Sequence, residues 1–562
     1  MSFSNLTMSN KQYGENGGVE YRWSYNIQEV ILQFYFQLVR TNAAQLSVLE
    51  MKLRDILYFL KFTFYLDRNA IWKKYLILLY KLIGHSRDKI DGKGERDLTY
   101  MMIAVWYDFF PELALFALQS LNEPINYSPS YGCWKDMKYF CNYYKEKIGY
   151  ILHPLIIHCI QMINQQLRLD YCNYNKNNSI SFVAKWVPRE KSKKFGWLFS
   201  FLAYNYFKEF IQSAQNPVSM FSAQKKCKAE YRKLLSQLNN SLGTLEVKQC
   251  AKQWSTIDFS QVSCIAFHKQ TNTFLKNSHY DDRQECKEKF IHYIENSNRL
   301  HSQLVEMNEF TKKALQIIRA KKYGFIQDQE EKILNKQWQS NSLFSPILGN
   351  IIPVVDLSST MSGEAYNTAI SLAIRIAEKS SIGKGIILSG SIPKWINLGE
   401  KETFLDCIKE IINHTFGITS DLLAVFDLII NTIMDVKMSP ENIKNLSIVI
   451  ISDMQIMSLN KECLNEIIKT KFKLKEIPEI IFWNLRSTNG FPCFSNEYGF
   501  KMISGFNVNN LYYLSRDGKN TLGGYNSWIL LERILNNKRY SILEDKSSEY
   551  LESYFRFSNK DY

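Results

Sequence analysis

No Cys-x-x-Cys occurs in this sequence, and the eleven cysteines (positions 133, 141, 159, 172, 227, 250, 264, 286, 407, 463 and 493) are odd in number and never closer than eight residues. His153 and His158 stand five apart, on different faces of a helix, so the helical zinc spacing is missing as well. Free buried thiols in a reducing compartment fit this pattern. There is no Ser-His-Asp grouping, no P-loop and no dinucleotide-binding glycine pattern, which argues against an enzyme with a small-molecule substrate. The N-terminus, Met1-Ser-Phe-Ser-Asn-Leu-Thr-Met8, has no charged stretch followed by an apolar one, so no signal peptide is expected. The most apolar windows, Phe59–Leu66 and Ile148–Ile163, are interrupted by Lys61 or carry two histidines and fall short of a membrane span. A soluble cytoplasmic protein without a membrane partner is the expectation.

What is present is a globular composition, with 46% apolar and 22% charged residues. A chain of 562 residues exceeds one ordinary core, so several domains are expected. The net charge of +14 is unevenly spread. Residues 1–350 hold 46 Lys and Arg against 31 Asp and Glu, whereas residues 351–562 hold 23 against 24. A basic first part fits a polyanion partner, nucleic acid or an acidic membrane face, and equally a solvated lysine surface.

Residues 1–25 are polar and glycine-bearing and read as a loose tail. Residues 26–345 then read as a helical domain. From Ile27 to about Leu169 apolar residues recur every three or four positions, and short polar links such as Asp67-Arg-Asn69 and Asn122-Glu-Pro124 join the segments. Paired helices stacked as a HEAT-like repeat are expected on this alternation, although no clean sequence period is present. Gly92-Lys93-Gly94 lacks P-loop spacing and follows no strand, so it reads as a loop between helices. The densest basic stretch runs from Lys185 to Trp197. There Lys185, Arg189, Lys191, Lys193 and Lys194 interleave with Trp186, Phe195 and Trp197, the composition of a nucleic-acid contact. The same residues also suit tryptophans anchoring helices while their charges face water.

The character changes at Asn350-Ile-Ile-Pro-Val-Val-Asp-Leu-Ser-Ser-Thr-Met-Ser-Gly363. An apolar burst ends in Asp356 with hydroxyls at Ser358, Ser359 and Thr360, the pattern of a buried parallel strand opening into a polar loop. Oxygen-only ligands at a strand's carboxyl end suit a hard cation such as Mg²⁺, while a helix N-cap would use the same residues. Strands are predicted at 351–356, 385–389, 446–452, 479–485 and 501–504, alternating with helices at 366–379, 404–412, 422–434, 459–469 and 527–535. That alternation specifies a doubly wound α/β domain over residues 346–562.

With these pieces the C-terminal domain resembles a von Willebrand factor A domain carrying a metal-ion-dependent adhesion site. Asp356 and Ser358 match that family's Asp-x-Ser-x-Ser segment, with Thr360 at its third position and Ser359 where glycine is common. The second loop offers Thr419 or Ser420, of which Ser420 is favoured, and Asp453 fits the third loop. The resemblance implies one divalent cation, Mg²⁺ first with Mn²⁺ or Ca²⁺ as alternatives, at Asp356, Ser358, Thr360, Ser420 and Asp453. Over residues 90–455, segments such as Asp91-Gly-Lys-Gly-Glu-Arg96, Tyr131-Gly-Cys-Trp-Lys-Asp136, Ala184-Lys-Trp-Val-Pro-Arg-Glu190, Gln253-Trp-Ser-Thr-Ile-Asp258 and Ser452-Asp-Met-Gln455 resemble an uncharacterised family of plants, other eukaryotes and giant viruses. Its plan is similar to that of Ro RNA-binding proteins with their TROVE module. The resemblance implies a non-enzymatic scaffold whose basic helical domain, through Lys185, Trp186, Arg189, Lys191, Lys193 and Lys194, meets RNA. An adaptor that holds an acidic group of a protein partner at the metal is the alternative.

Overall fold

The computed structural model describes residues 11–557 apart from 16, 18, 68–69, 125–128, 277–281, 301, 326–327, 391, 415–420, 456–477, 496, 498 and 516–525. The chain before residue 350 is mostly helical, and a mixed sheet follows. It packs into two compact units that do not follow chain order. One gathers residues 1–98, 263–269 and 297–562, and the other gathers 99–262 and 270–296. The sequence places a boundary at residue 345 because apolar periodicity switches there from helical to strand-like. Periodicity reports local structure, and the packing of the first helices with the sheet leaves no trace in it.

The sheet-bearing unit begins with an antiparallel ribbon, β1 (Lys11–Tyr13) and β2 (Val19–Tyr21). The sequence assigns these residues to a loose tail. Instead, Tyr21 and Phe491 exchange two backbone hydrogen bonds of 3.0 Å, and Trp23 meets Phe491 edge-on at 5.0 Å. Half-buried Tyr21 and Trp23 against the buried Phe491 tie this terminus down.

Six further strands follow among the described residues: β3 (Asn350–Asp356), β4 (Gly385–Ser389), β5 (Lys394–Asn397), β6 (Leu446–Ser452), β7 (Glu479–Asn484) and β8 (Phe500–Ser504). Their order is β5-β4-β3-β6-β7-β8, parallel throughout except for β5, which runs antiparallel at one edge. The edge strand was not foreseen, because only Ile396 of its four residues is buried and it makes no apolar run. Register aligns Asp356 with Ser389, Ser452 with Asn484 and Asn484 with Ser504. Every parallel strand therefore ends, at the same edge, in a residue with a polar side chain. The order reverses between β3 and β6, and crevices for ligands form at such a reversal, outside the carboxyl ends of the strands. The helices Glu364–Lys379, Phe404–Ile412, Leu422–Asp435 and Ser527–Leu535 lie where the alternation predicts them. The predicted helix at 459–469 lies outside the described residues.

Helix Ile27–Gln37 closes the β7 and β8 end of that polar edge. Gln37 accepts the Thr488 N–H at 2.7 Å and donates to the Gly490 carbonyl at 2.9 Å, and Asn484 donates to the Phe36 carbonyl at 3.1 Å. Lys93 completes the plug. Its buried ammonium donates to the carbonyls of Tyr35 (2.7 Å) and Leu38 (2.8 Å) and to Ser504 Oγ (2.6 Å). The flanking glycine makes this possible, since a Cβ on Gly92 would lie 2.0 Å from the His85 carbonyl oxygen. At the β3 and β6 end of the edge a cleft opens beside Ser359, Thr360 and Gln455.

The second unit is built from helices. Asp136 starts helix Trp134–Ile148 by accepting the Cys133 N–H and the Tyr100 hydroxyl, both at 2.8 Å. Asn164, on helix Pro154–Asn175, donates to the Leu202 carbonyl and to Asn205 and accepts the Tyr231 hydroxyl. One buried amide thus joins helices Pro154–Asn175, Gly196–Tyr206 and Pro217–Leu242. The ten described cysteines are free, and no helix of the described residues is long and apolar enough to cross a membrane.

Candidate functional site

The open end of the sheet brings together four of the five residues expected to hold a cation. Asp356 Oδ1 accepts the Ser358 N–H at 2.9 Å, and Oδ2 accepts the Ser452 hydroxyl at 2.9 Å. The hydroxyls of Ser358 and Thr360 stand 2.9 Å apart, and Thr360 also bonds Asp453. Asp453 Oδ1 accepts the Gln455 N–H at 3.1 Å. Ser420 lies outside the described residues. Asp356 does not cap the next α-helix, whose N-cap is Gly363, but it accepts the Ser358 amide, and Ser358 stands at the N-cap of the 3-10 turn Ser359–Met361.

Both carboxylates are buried, Asp356 at 3% exposure and Asp453 at 0%. Burial, and then the negative charge of Asp356, push the Asp453 carboxyl above its ordinary range, against the pull of Thr360, the Gln455 N–H and Arg486. Met454, directly after Asp453, holds a left-handed backbone at φ 63°, a strained conformation for a side-chain-bearing residue. In kind, the donors fit a hard divalent cation: they are oxygens only, and they carry two negative charges in a place where one suffers from the other. Among the described residues no group of three or more His, Cys, Asp or Glu gathers to hold a metal, so any cation here would rely on hydroxyls beside the two carboxylates. A cleft of about 660 Å³ opens beside this cluster, lined by Glu15, Arg40, Thr360, Glu364, Gln455 and Arg486 among others. Sequence reasoning missed Arg486, whose guanidinium lies 3.3 Å from Asp453 Oδ2. Its signal was its place two residues beyond the polar end of β7.

The second candidate lies in the helical unit. Residues 131–252 carry 19 Lys and Arg against seven Asp and Glu, so most of the chain's positive excess sits there. Arg189, Lys191, Lys193 and Lys194 are exposed, whereas Trp186 is half-buried at the end of the short helix Val183–Trp186. Three ammoniums surround the Trp186 ring: Lys135 at 5.2 Å, Lys185 at 5.5 Å and Lys138 at 5.6 Å. Lys138 and Lys194 also lie over Phe195, at 5.2 and 5.8 Å, and Lys145 lies over Trp197 at 4.9 Å. Lys185 has Glu246 at 2.9 Å, and Glu190 pairs with Arg232.

The rings that composition suggested as stacking platforms therefore have lysine ammoniums over them. What this face offers a ligand is a crowd of ammonium groups. Such crowding raises the local positive potential, which phosphate oxygens relieve. Lys135 and Lys138 were not foreseen. They stand three apart on helix Trp134–Ile148, whose first turn falls in the segment Tyr131-Gly-Cys-Trp-Lys-Asp136.

Comparison with known proteins gives families without an assigned activity. Residues 141–341 match a domain of unknown function (DUF2828), and residues 350–522 match a second domain of unknown function (DUF7788). The chain is 23% identical over 535 residues to "Uncharacterized protein L728" of Acanthamoeba polyphaga mimivirus, covering 89% of this chain and 84% of that one. Among solved structures it is similar to the Deinococcus radiodurans Ro (RSR) protein, at 8% identity over 91% of this chain and 100% of the other, with a TM-score of 0.30. That score marks a weak likeness.

Proposed function

We propose that this chain is a non-enzymatic binding scaffold that takes up RNA on its basic helical unit and carries a von Willebrand A-like cation site at the carboxyl edge of its sheet. The observation that carries the RNA reading is the group of Lys135, Lys138 and Lys185 about Trp186, continued by the exposed Arg189, Lys191, Lys193 and Lys194. Ammoniums supported on rings bind phosphate oxygens by counterion release, a readout that needs no particular base sequence. Asp356, Ser358, Thr360 and Asp453 would hold the cation, with Ser420 as the expected fifth donor. When bound, a divalent ion there supplies positive charge to two buried carboxylates. The adaptor alternative would bring an acidic partner group to the same cleft, whose rim pairs Glu15 with Arg486 and Glu364 with Arg40.

The test is a binding series with an unstructured and a hairpin RNA across a range of KCl concentrations. Retention at low salt that falls steeply as salt rises supports the reading. No retention of either RNA at low salt overturns it.

A further inference from the structure

We propose that Arg486 is a built-in competitor of the divalent cation for Asp453, an inference that rests on the cation reading above. Its guanidinium places Nη1 3.3 Å from Asp453 Oδ2 and Nη2 3.1 Å from Glu15 Oε2. The Asp453 side chain is fully buried, whereas Arg486 is 37% and Glu15 49% exposed. The arginine thus joins an inner carboxylate to an outer one at the mouth of the cleft. Its backbone is held, because the Arg486 N–H donates to Asn484 Oδ1 at 2.9 Å. Any exchange therefore falls to the side chain, which has four rotatable bonds and a forked head able to serve two carboxylates.

Asp356 and Asp453 are two buried negative groups at one strand reversal, and a positive neighbour stabilises both. A guanidinium and a divalent ion answer that need at the same carboxylate, and they cannot both occupy the space in front of Asp453 Oδ2. With a divalent ion held at Asp453, Arg486 would keep only Glu15; without one it pairs with both carboxylates. Cation affinity is then set by the difference between two pairings, and Glu15, in the turn between β1 and β2, is the residue that makes release easy.

The experiment is a Mn²⁺ titration of the full chain by calorimetry, with electron paramagnetic resonance counting bound ion. Arg486→Gln should tighten binding by about tenfold, the scale of a lost charge-assisted bond. Glu15→Gln should weaken it by about threefold in the native background and leave it unchanged when Arg486→Gln is already present. That loss of effect separates competition from a general change of field, which would persist in both backgrounds. Arg486→Lys keeps the charge but spans the two carboxylates poorly, and should fall between native and Arg486→Gln. Unaltered affinity in Arg486→Gln or, if that variant does not fold, in Arg486→Lys would overturn the proposal, as would an equal effect of Glu15→Gln in both backgrounds. Asp356→Asn is the control on the parent reading: it should abolish binding, and a native titration in it would remove the cation site itself.

Discussion

Lys93 and Lys185 are the same side chain in opposite circumstances. In the sheet-bearing unit Lys93 is 3% exposed, donates three hydrogen bonds to the protein's own oxygens, and is drawn well below the ordinary lysine range by burial. In the helical unit Lys185 is half-buried, pairs with Glu246 at 2.9 Å, shares one aromatic ring with two other ammoniums, and belongs to a stretch in which basic residues greatly outnumber acidic ones. A formal charge count treats the two alike. The first cation is used up inside the fold, and the second belongs to a surface whose unbalanced charge an external polyanion can neutralise. Partner chemistry therefore has to be read from where each charge ends, not from the net +14.

The largest effect that would break this contrast is in the buried cation. Lys93→Met keeps the stem but leaves two carbonyls and Ser504 without their donor, at a cost of about 3–5 kcal/mol. The urea midpoint of the sheet-bearing unit should fall with little change in slope, while RNA retention stays native wherever the chain remains folded. A loss smaller than about 1 kcal/mol would mean that Lys93 does not hold the plug.

The converse holds for the exposed cations. Replacing Lys191, Lys193 and Lys194 together by Gln should reduce the slope of log affinity against log salt by about two, at roughly 0.7 per phosphate contact, and weaken RNA binding more than tenfold at low salt. Thermal stability should not move, because these side chains are exposed. Fluorescence anisotropy across a KCl series reads the slope, and an unchanged slope would return this face to the status of a solvated surface.

How much of this was legible beforehand follows the same line between local and distant order. Five parallel strands announced themselves, since short apolar runs such as Val354-Val-Asp356 and Val449-Ile-Ile-Ser-Asp453, stopped by a polar residue, have the length and β-branched content of a strand buried on both faces. The juxtaposition of Asp356 with Asp453 came from the resemblance and depends on a strand order that no local pattern encodes. The meeting of Arg486 with Glu15 was illegible for that reason: they lie 471 positions apart and come together only through folding. The Trp186 cluster was half legible. Composition showed cations beside rings, but not that the cations cover the ring or that Lys135 and Lys138 arrive from another helix. The joining of residues 1–98 to the sheet had no signal in sequence, because helix periodicity does not state what a helix packs against.

Acid sharpens the contrast on a smaller scale. His85 is buried against Tyr540, and burial, followed by the charge of Lys93, lowers it from 6.5 to about 3. The folded state therefore binds fewer protons than the unfolded chain between these values, so the contribution of His85 is complete above pH 6.5 and is lost as pH falls toward 3. The loss is at most about 1.4 kcal/mol per pH unit. Urea unfolding at successive pH values should show the native chain losing this increment relative to His85→Gln. Parallel curves would show that His85 titrates normally in the fold.

The smallest effect asks whether stability and binding are separable inside the helical unit. Asn216 accepts the Ser219 N–H at 2.8 Å, and Ser219 Oγ accepts the Asn216 N–H at 3.0 Å, a capping box ahead of Pro217. Asn216→Ala should cost about 1 kcal/mol, because it removes one acceptor from the exposed first turn of the helix. Lys225, Lys226, Lys228, Arg232 and Lys233 lie two or more turns further along the same helix, which the buried Tyr231–Asn164 bond fixes independently of its start. RNA affinity should therefore remain native while the melting temperature drops by a few degrees. If affinity falls together with melting temperature, the basic face depends on the order of the whole helix, and the separation drawn between structural and ligand-facing cations would no longer hold within this unit.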